Sequence, residues 1–288
     1  MTASGRVETY RGVVYRWELD HNDHFTVAYY FQRFGDAGRA VLETLGFEPA
    51  RFATADVYVR YLRELRAGDL MHVTSGIIGV DGEGFTAGHT LFSSESDDVA
   101  ATVEHRLVRL DDGGKPAALD RAERASLEAR RVAWDAPARE RRPRPASLDG
   151  FADAARDTIR PSEIDASGRV ALSAYIHRFS AANGHATARF GITPAYQRDA
   201  RRGFSTFEFQ LALGSHDVRA GDLVRVRSAL VHVGSSSMRL LHRMTNDRTD
   251  EEIATLEQAG VHLDMDARRS TPLPDDIRTR ALAVLVRA

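Results

Sequence analysis

The chain of 288 residues is 43% hydrophobic and 28% charged, enough apolar material for two ordinary globular cores and without the bias of disordered or fibrous proteins. Its 39 basic and 41 acidic residues leave a formal charge of −2, so the basic surplus with which proteins grip nucleic-acid phosphates is missing. Cysteine is absent, which removes disulfides, thiol nucleophiles and thiolate metal sites, and no apolar run approaches the roughly 18 residues of a membrane span.

Met1 to Arg6 lack the apolar core of a signal peptide, so a cytoplasmic location is the expectation. A β-rich stretch, Val7 to Trp17, then meets the polar cluster Asp20 to His24. From Val27 the apolar positions Val27, Tyr30, Phe31, Phe34, Val41, Leu42 and Leu45 recur every three or four residues, predicting an amphipathic helix stopped by Gly46. Four strand-like segments follow, near 56–65, 70–80, 85–94 and 100–110. Their turn residues are Ala67-Gly68-Asp69, Asp81 to Gly84 and Ser96 to Asp98, and connections this short predict an antiparallel sheet. Asp120 to Arg131 reads as a helix. Asp135 to Pro145, with Arg-Arg-Pro-Arg-Pro at 141–145, reads as a semi-rigid linker. The order then returns: a helix on Leu172, Tyr175, Ile176, Phe179, Ala186 and Phe190, stopped at Gly191, strands near 204–213, 223–233, 237–245 and 253–263, and a closing helix over 274–285.

The return is also literal. Arg66 to Leu70 recurs as Arg219 to Leu223, and Ala101-Thr102-Val103-Glu104 recurs as Ala254-Thr255-Leu256-Glu257, both displaced by 153 residues (219 − 66 and 254 − 101). Asp20 with Tyr30 matches Asp165 with Tyr175 at a displacement of 145, so the second copy should carry a longer loop near Gln197 to Arg202. Copies of this size are whole domains rather than solenoid repeats. The expected organisation is an α+β tandem: a first domain over 1–117, a helix and Pro/Arg-rich linker over 118–149, and a second domain over 150–288, paired as an intramolecular pseudo-dimer.

Trp17-x-x-Asp20-x-Asn22-x-His24-Phe25-Thr26-Val27-Ala28-Tyr29-Tyr30, with Gly68-Asp69 downstream, resembles the hot-dog thioesterases related to 4-hydroxybenzoyl-CoA thioesterase. Within them the pattern is most similar to the betainyl-CoA (carnitine catabolism) branch. The family pattern runs Asp-x-x-Gly-His-Met-Asn before the hot-dog helix, with a Tyr about six residues past the His; Asp20, His24 and Tyr30 fall on those positions. The resemblance covers nearly the whole chain and implies a double hot-dog, each copy a long helix wrapped by a curled sheet. It further implies hydrolysis of an acyl-CoA without cofactor or metal, at a site between the copies, with further oligomerisation possible. Asp20, His24 and Asp165 become the catalytic candidates, and Asn22, Thr26, Tyr30 and Arg169 the substrate-binding ones. Departures are Asp23 for the family Gly, Thr26 for the Asn, and, in the second copy, Arg169 for the His and Ala171 for the Asn, although Asp165 and Gly168 fit.

Thioester hydrolysis needs a base or nucleophile and donors for the oxyanion, and a helix N-terminus supplies such donors. Asp20 before the helix can activate water or attack, or it can be a capping aspartate; both readings stand at this stage. His24 can orient substrate or be a surface histidine. Asp20, His21, Asp23 and His24 lack the third, distant ligand a metal site requires. His89 and His242 correspond at 153 and suit packing or a domain–domain hydrogen bond, and Glu104 and Glu257 suit a solvated strand face. Gly82-Glu83-Gly84 is a hairpin turn with no following helix to make a phosphate loop, and no Gly-x-Ser-x-Gly elbow is present. Two alternatives remain: an enoyl-thioester hydratase, whose Asp-x-Asn-Pro-x-His pattern places the His five residues after the Asp rather than four, and a non-catalytic acyl-thioester-binding protein.

Overall fold

A computed structural model describes residues 5–140, 142, 145 and 147–287. Met1 to Ser4, and Arg141, Pro143, Arg144 and Ala146 of the expected linker, lie outside the described residues. The chain divides into two compact units, Met1–Ala138 with Ser162–Ser173, and Arg139–Pro161 with Ala174–Ala288.

In the first unit, β1 (Val7–Val13) leads through a 3-10 turn (Arg16–Glu18) to α1 (Val27–Thr44). Then come β2 (Phe52–Tyr61), β3 (Leu70–Val80), β4 (Gly84–Ser93), β5 (Val99–Arg109) and the short α2 (Arg121–Glu128). The strands lie in the order β1-β3-β4-β5-β2, each pair antiparallel. The helix forms where its apolar spacing predicts, because Phe31, Phe34, Val41 and Leu42 share one stripe. That stripe is buried, with Val41 and Leu42 packed among Phe52, Ile77, Phe85 and Leu107 of the sheet. Each such side chain contributes about 1.5–3 kcal/mol by leaving water. Gly46, at φ 80, closes the helix in a conformation open to glycine at no steric cost. β2 starts four residues before its expected position because a bulge between Thr54 and Asp56 breaks the alternation from which strands are read.

The second unit repeats this plan. It contains β6 (Ala152–Thr158), α3 (Leu172–Ala188) from Ala174 onward, α4 (Pro194–Ala200), β7 (Arg202–Leu213) and β8 (Leu223–Val233). β9 (Ser237–Asn246), β10 (Glu252–Asp264), the two-residue β11 (Arg269–Ser270) and α5 (Asp275–Ala283) complete it. Its order β6-β8-β9-β10-β7 is the first unit's order strand for strand, with β11 on β10. The longer connection expected at Gln197 to Arg202 is mostly α4 rather than loop. Thr193 caps that helix by accepting the Tyr196 N–H, with Pro194 at the first helical position.

The sheet faces opposite the helices are strapped by chain rather than left to water. In the first unit the Val132 N–H donates to Ile77 O (2.8 Å) and Trp134 Nε1 donates to Glu104 (3.2 Å). Gly88 permits this: a Cβ there would lie 2.8 Å from the Trp134 ring. In the second unit Arg142 reaches Glu208 (2.5 Å) and Glu257 (3.0 Å), and Arg239 reaches Glu257 (3.0 Å). Glu257, expected on a solvated face, is therefore only 3% exposed, its carboxylate neutralised by two guanidinium groups.

Candidate active site

Both copies fold the same Asp-centred turn ahead of their long helix. The Asp20 N–H donates to His24 O (2.8 Å) and the Asp23 N–H to Asp20 O (3.1 Å). Asp20 Oδ1 accepts the N–H groups of Asn22 (2.8 Å) and His24 (3.1 Å). In the second copy the Asp165 N–H donates to Arg169 O (2.7 Å) and the Gly168 N–H to Asp165 O (3.0 Å). Asp165 Oδ1 accepts from Ser167 N (2.8 Å), Ser167 Oγ (2.6 Å) and Arg169 N (3.2 Å). An aspartate whose carboxylate accepts the N–H groups two and four residues on makes this turn for local reasons. Asp23 adopts φ 59 where Gly168 adopts φ 80, so aspartate, which tolerates the left-handed region, keeps the turn that the family glycine makes.

The two turns differ in surroundings. Asp20 is half-buried and Asp165 exposed. His24 Nε2 lies 3.2 Å from Glu64 Oε1 in the β2–β3 loop, a partner that sequence spacing does not reveal, and Glu64 lies 3.7 Å from Arg66. Arg169, on the position of His24, instead donates to the Ala50 carbonyl (2.8 Å), and burial lowers its basicity. Asn22 is buried within the first turn. Thr26 is the N-cap of α1: its N–H donates to Glu18 O (2.8 Å), and its side chain makes no capping bond. The N–H groups of Val27 and Ala28 thus lie in a first turn that has no carbonyl of its own for them, with the positive end of the helix dipole behind. Tyr30 belongs to the core: it touches Phe25 (4.5 Å between ring centres) and Tyr61 (5.0 Å), and burial pushes its phenol well above the usual range despite a backbone hydrogen bond to Leu65. Phe31 and Phe34 are fully buried in the core. Among the described residues no three His, Asp or Glu side chains converge as a metal site.

Beneath the first turn a buried ion pair joins Glu18 to Arg33 of α1, and Glu18 also accepts the Tyr15 N–H (3.0 Å). The same residue types recur 145 positions on as Glu163 and Arg178, a correspondence overlooked in the sequence. Arg178 is buried too, donating to the carbonyls of Ala174 (2.9 Å) and Thr158 (2.8 Å). Arg178 also pairs with Asp157 (3.3 Å), so a buried arginine held by a nearby carboxylate lies on the long helix of each copy.

His89 and His242 take no part in these turns. Ser75 Oγ meets His89 Nδ1 (2.7 Å), His89 Nε2 meets His105 Nδ1 (3.3 Å), and His105 Nε2 meets Thr54 Oγ1 (2.7 Å), a polar chain across the sheet beneath α1. The second unit has Ser228 to His242 (2.7 Å) and Gln258 to Thr206 (2.6 Å) in the corresponding strands. Burial pushes His89 well down, with the neighbouring His105 and Arg6 adding to it; burial alone lowers His105 to about 4, and it lowers His242 to about 4 against an opposing hydrogen bond with Gln258. These imidazoles are buried and hydrogen-bonded within their own units, as the packing reading of His89 and His242 expects.

A family model described as the thioesterase-like superfamily matches residues 13–141 and 159–281, one match per repeat. The L-carnitine dehydrogenase/betainyl-CoA thioesterase of Agrobacterium fabrum is 30% identical over 99 residues, 32% of this chain and 20% of that longer protein. The betainyl-CoA thioesterase of Pseudomonas aeruginosa is 29% identical over 133 residues, 45% of this chain and 82% of that protein. Among solved structures, an acyl-ACP thioesterase from Bacteroides thetaiotaomicron superposes with a TM-score of 0.65 at 13% identity, covering 90% of this chain and 98% of that one. The 12:0-ACP thioesterase from Umbellularia californica gives 0.68 at 11% identity over 90% and 94%. At such identities the likeness is one of fold, the hot-dog-like arrangement of long helix and curled antiparallel sheet. No helix among the described residues is long and apolar enough to cross a membrane.

Proposed function

The chain belongs to the thioesterase-like superfamily, and from that premise we propose that it hydrolyses acyl-CoA thioesters at the first of its two Asp turns. The observation that carries this reading is a half-buried Asp20, held by one carboxylate oxygen, beside an α1 N-terminus that Thr26 leaves uncapped. The second carboxylate oxygen takes a proton from water, and the hydroxide adds to the thioester carbonyl. The oxyanion is met by the Val27 and Ala28 N–H groups; the carbon–sulfur bond breaks, and the thiolate leaves with the proton Asp20 had taken. Direct attack by Asp20, with water resolving the anhydride, uses the same geometry. His24, backed by Glu64, and Asn22 and Thr26 line the approach, while Tyr30 supports the turn from the core.

Asp165, bound by a serine hydroxyl as well as two N–H groups and next to Arg169, has a structural role in this account. The finer organisation proposed is a cytoplasmic, intramolecular pseudo-dimer of domains over 1–117 and 150–288, joined by 118–149 and able to oligomerise further. The relatives named for betainyl-CoA put a cationic acyl group on the substrate panel. Thiol release from short, aromatic, long-chain and betainyl CoA thioesters tests the activity; no release from any member by folded protein would reject it.

A further inference from the structure

Five large apolar side chains stand exposed among the described residues, and two of them belong to the 3-10 turn that leads to Asp20, Tyr15 as its N-cap and Trp17 within it. Trp17 is 71% exposed and Tyr15 46%, and their rings lie parallel, 4.5 Å between centres and 6° between planes. The fold does not require them. The second repeat makes the same turn with Arg160 and Ser162 in their places, 145 residues on. Leaving two aromatic rings in water at one Asp turn, when the other copy is polar there, calls for a ligand.

The geometry selects its kind. A cage for a quaternary ammonium needs ring faces converging from different directions, whereas these rings form a single flat stack with an outer face open to a third ring. Arg16 lies between them in sequence, exposed, and its charge repels a cationic group and pairs with phosphate. We infer that the Tyr15–Trp17 stack with Arg16 docks the adenine nucleotide end of coenzyme A, the ring extending the stack and a phosphate meeting Arg16. This rests on the acyl-CoA reading and deepens it. The carbonyl of Glu18, the next residue after Trp17, accepts the Thr26 N–H at the head of α1, so a nucleotide held here lies beside the turn that the flexible pantetheine arm must reach.

The test is calorimetric titration of the full chain with adenosine 3′,5′-bisphosphate and with adenosine, for wild type, Trp17→Ser and Arg16→Ala, together with KM for an acyl-CoA and for the matching acyl-pantetheine. Ser162 already occupies the equivalent position in the second repeat, so Trp17→Ser preserves folding. The expected results are bisphosphate affinity weakened by about tenfold or more in Trp17→Ser, adenosine affinity untouched by Arg16→Ala, and a KM raised for acyl-CoA but not for acyl-pantetheine. Unchanged bisphosphate affinity in Trp17→Ser would overturn the inference. So would a KM raised equally for both thioesters, which would make the stack an acyl-group site, or self-association that Trp17→Ser abolishes while nucleotide affinity stays. Bisphosphate binding lost in Trp17→Ser with no thioester turnover in wild type would sustain the nucleotide site and remove the thioesterase reading alone.

Discussion

Replacing His105 by Gln should make the first unit more resistant to acid while leaving it nearly unchanged at neutral pH. The substitution copies the second unit, where Gln258 holds the corresponding place and bonds Thr206 as His105 bonds Thr54. Buried His105 titrates at about 4, against about 6.5 for the exposed ring in the unfolded chain. Above pH 6.5 the ring is neutral in both states and contributes no pH dependence. Between about 6.5 and 4 the unfolded chain binds the proton and the native one does not, so stability is lost as pH falls through that window. At about 1.4 kcal/mol for each pH unit, the loss approaches 3 kcal/mol at pH 4, a large part of a domain's margin. The readout is favourable because both tryptophans, Trp17 and Trp134, lie in the first unit, so fluorescence reports its unfolding. Urea midpoints at pH 8 and pH 4.5 should show wild type losing about 2–3 kcal/mol more than the variant over that interval. Parallel pH curves for the two proteins would refute the reasoning.

Three further outcomes follow from the turns and the pair beneath them. Gly168→Ala should cost about 1 kcal/mol by urea unfolding, because an L side chain meets the left-handed penalty there although nothing lies within 4 Å of the new Cβ. Asp23→Gly should be neutral or slightly stabilising and leave turnover intact, since glycine fits φ 59 without strain. Arg33→Met should cost about 3–5 kcal/mol at neutral pH by stranding the buried Glu18 carboxylate, and the double change Glu18→Leu with Arg33→Met should recover much of it. A double variant as unstable as the single one would contradict that account.

The fold was legible because the chain states it twice. Val27 as the start of α1 and Leu70 to Val80 as a strand follow from apolar spacing and the Gly68-Asp69 turn, and both have counterparts in the second copy. The α4 helix escaped notice although Thr193-Pro194 is a helix-start signal, because seven residues carry too little periodicity to stand out. The site was partly legible. Asp20 and Asp165 announce their turns by spacing, but Glu64 reaches His24 only through the β2–β3 loop, and the burial of Glu257 depends on Arg142, more than a hundred residues away. Ser75 and Ser228 stand at the same 153 displacement as His89 and His242 and could have been read with them, whereas His105 and Gln258 differ in identity and so hid their equivalence.

The central claim is that the first turn does the chemistry and the second does not. Thiol release from one acyl-CoA that the wild type accepts, measured for Asp20→Asn beside Asp165→Asn, tests it most directly. The account predicts a loss of about a hundredfold or more in kcat for Asp20→Asn and a change within a few-fold for Asp165→Asn. Comparable losses in both, or a loss confined to Asp165→Asn, would contradict it.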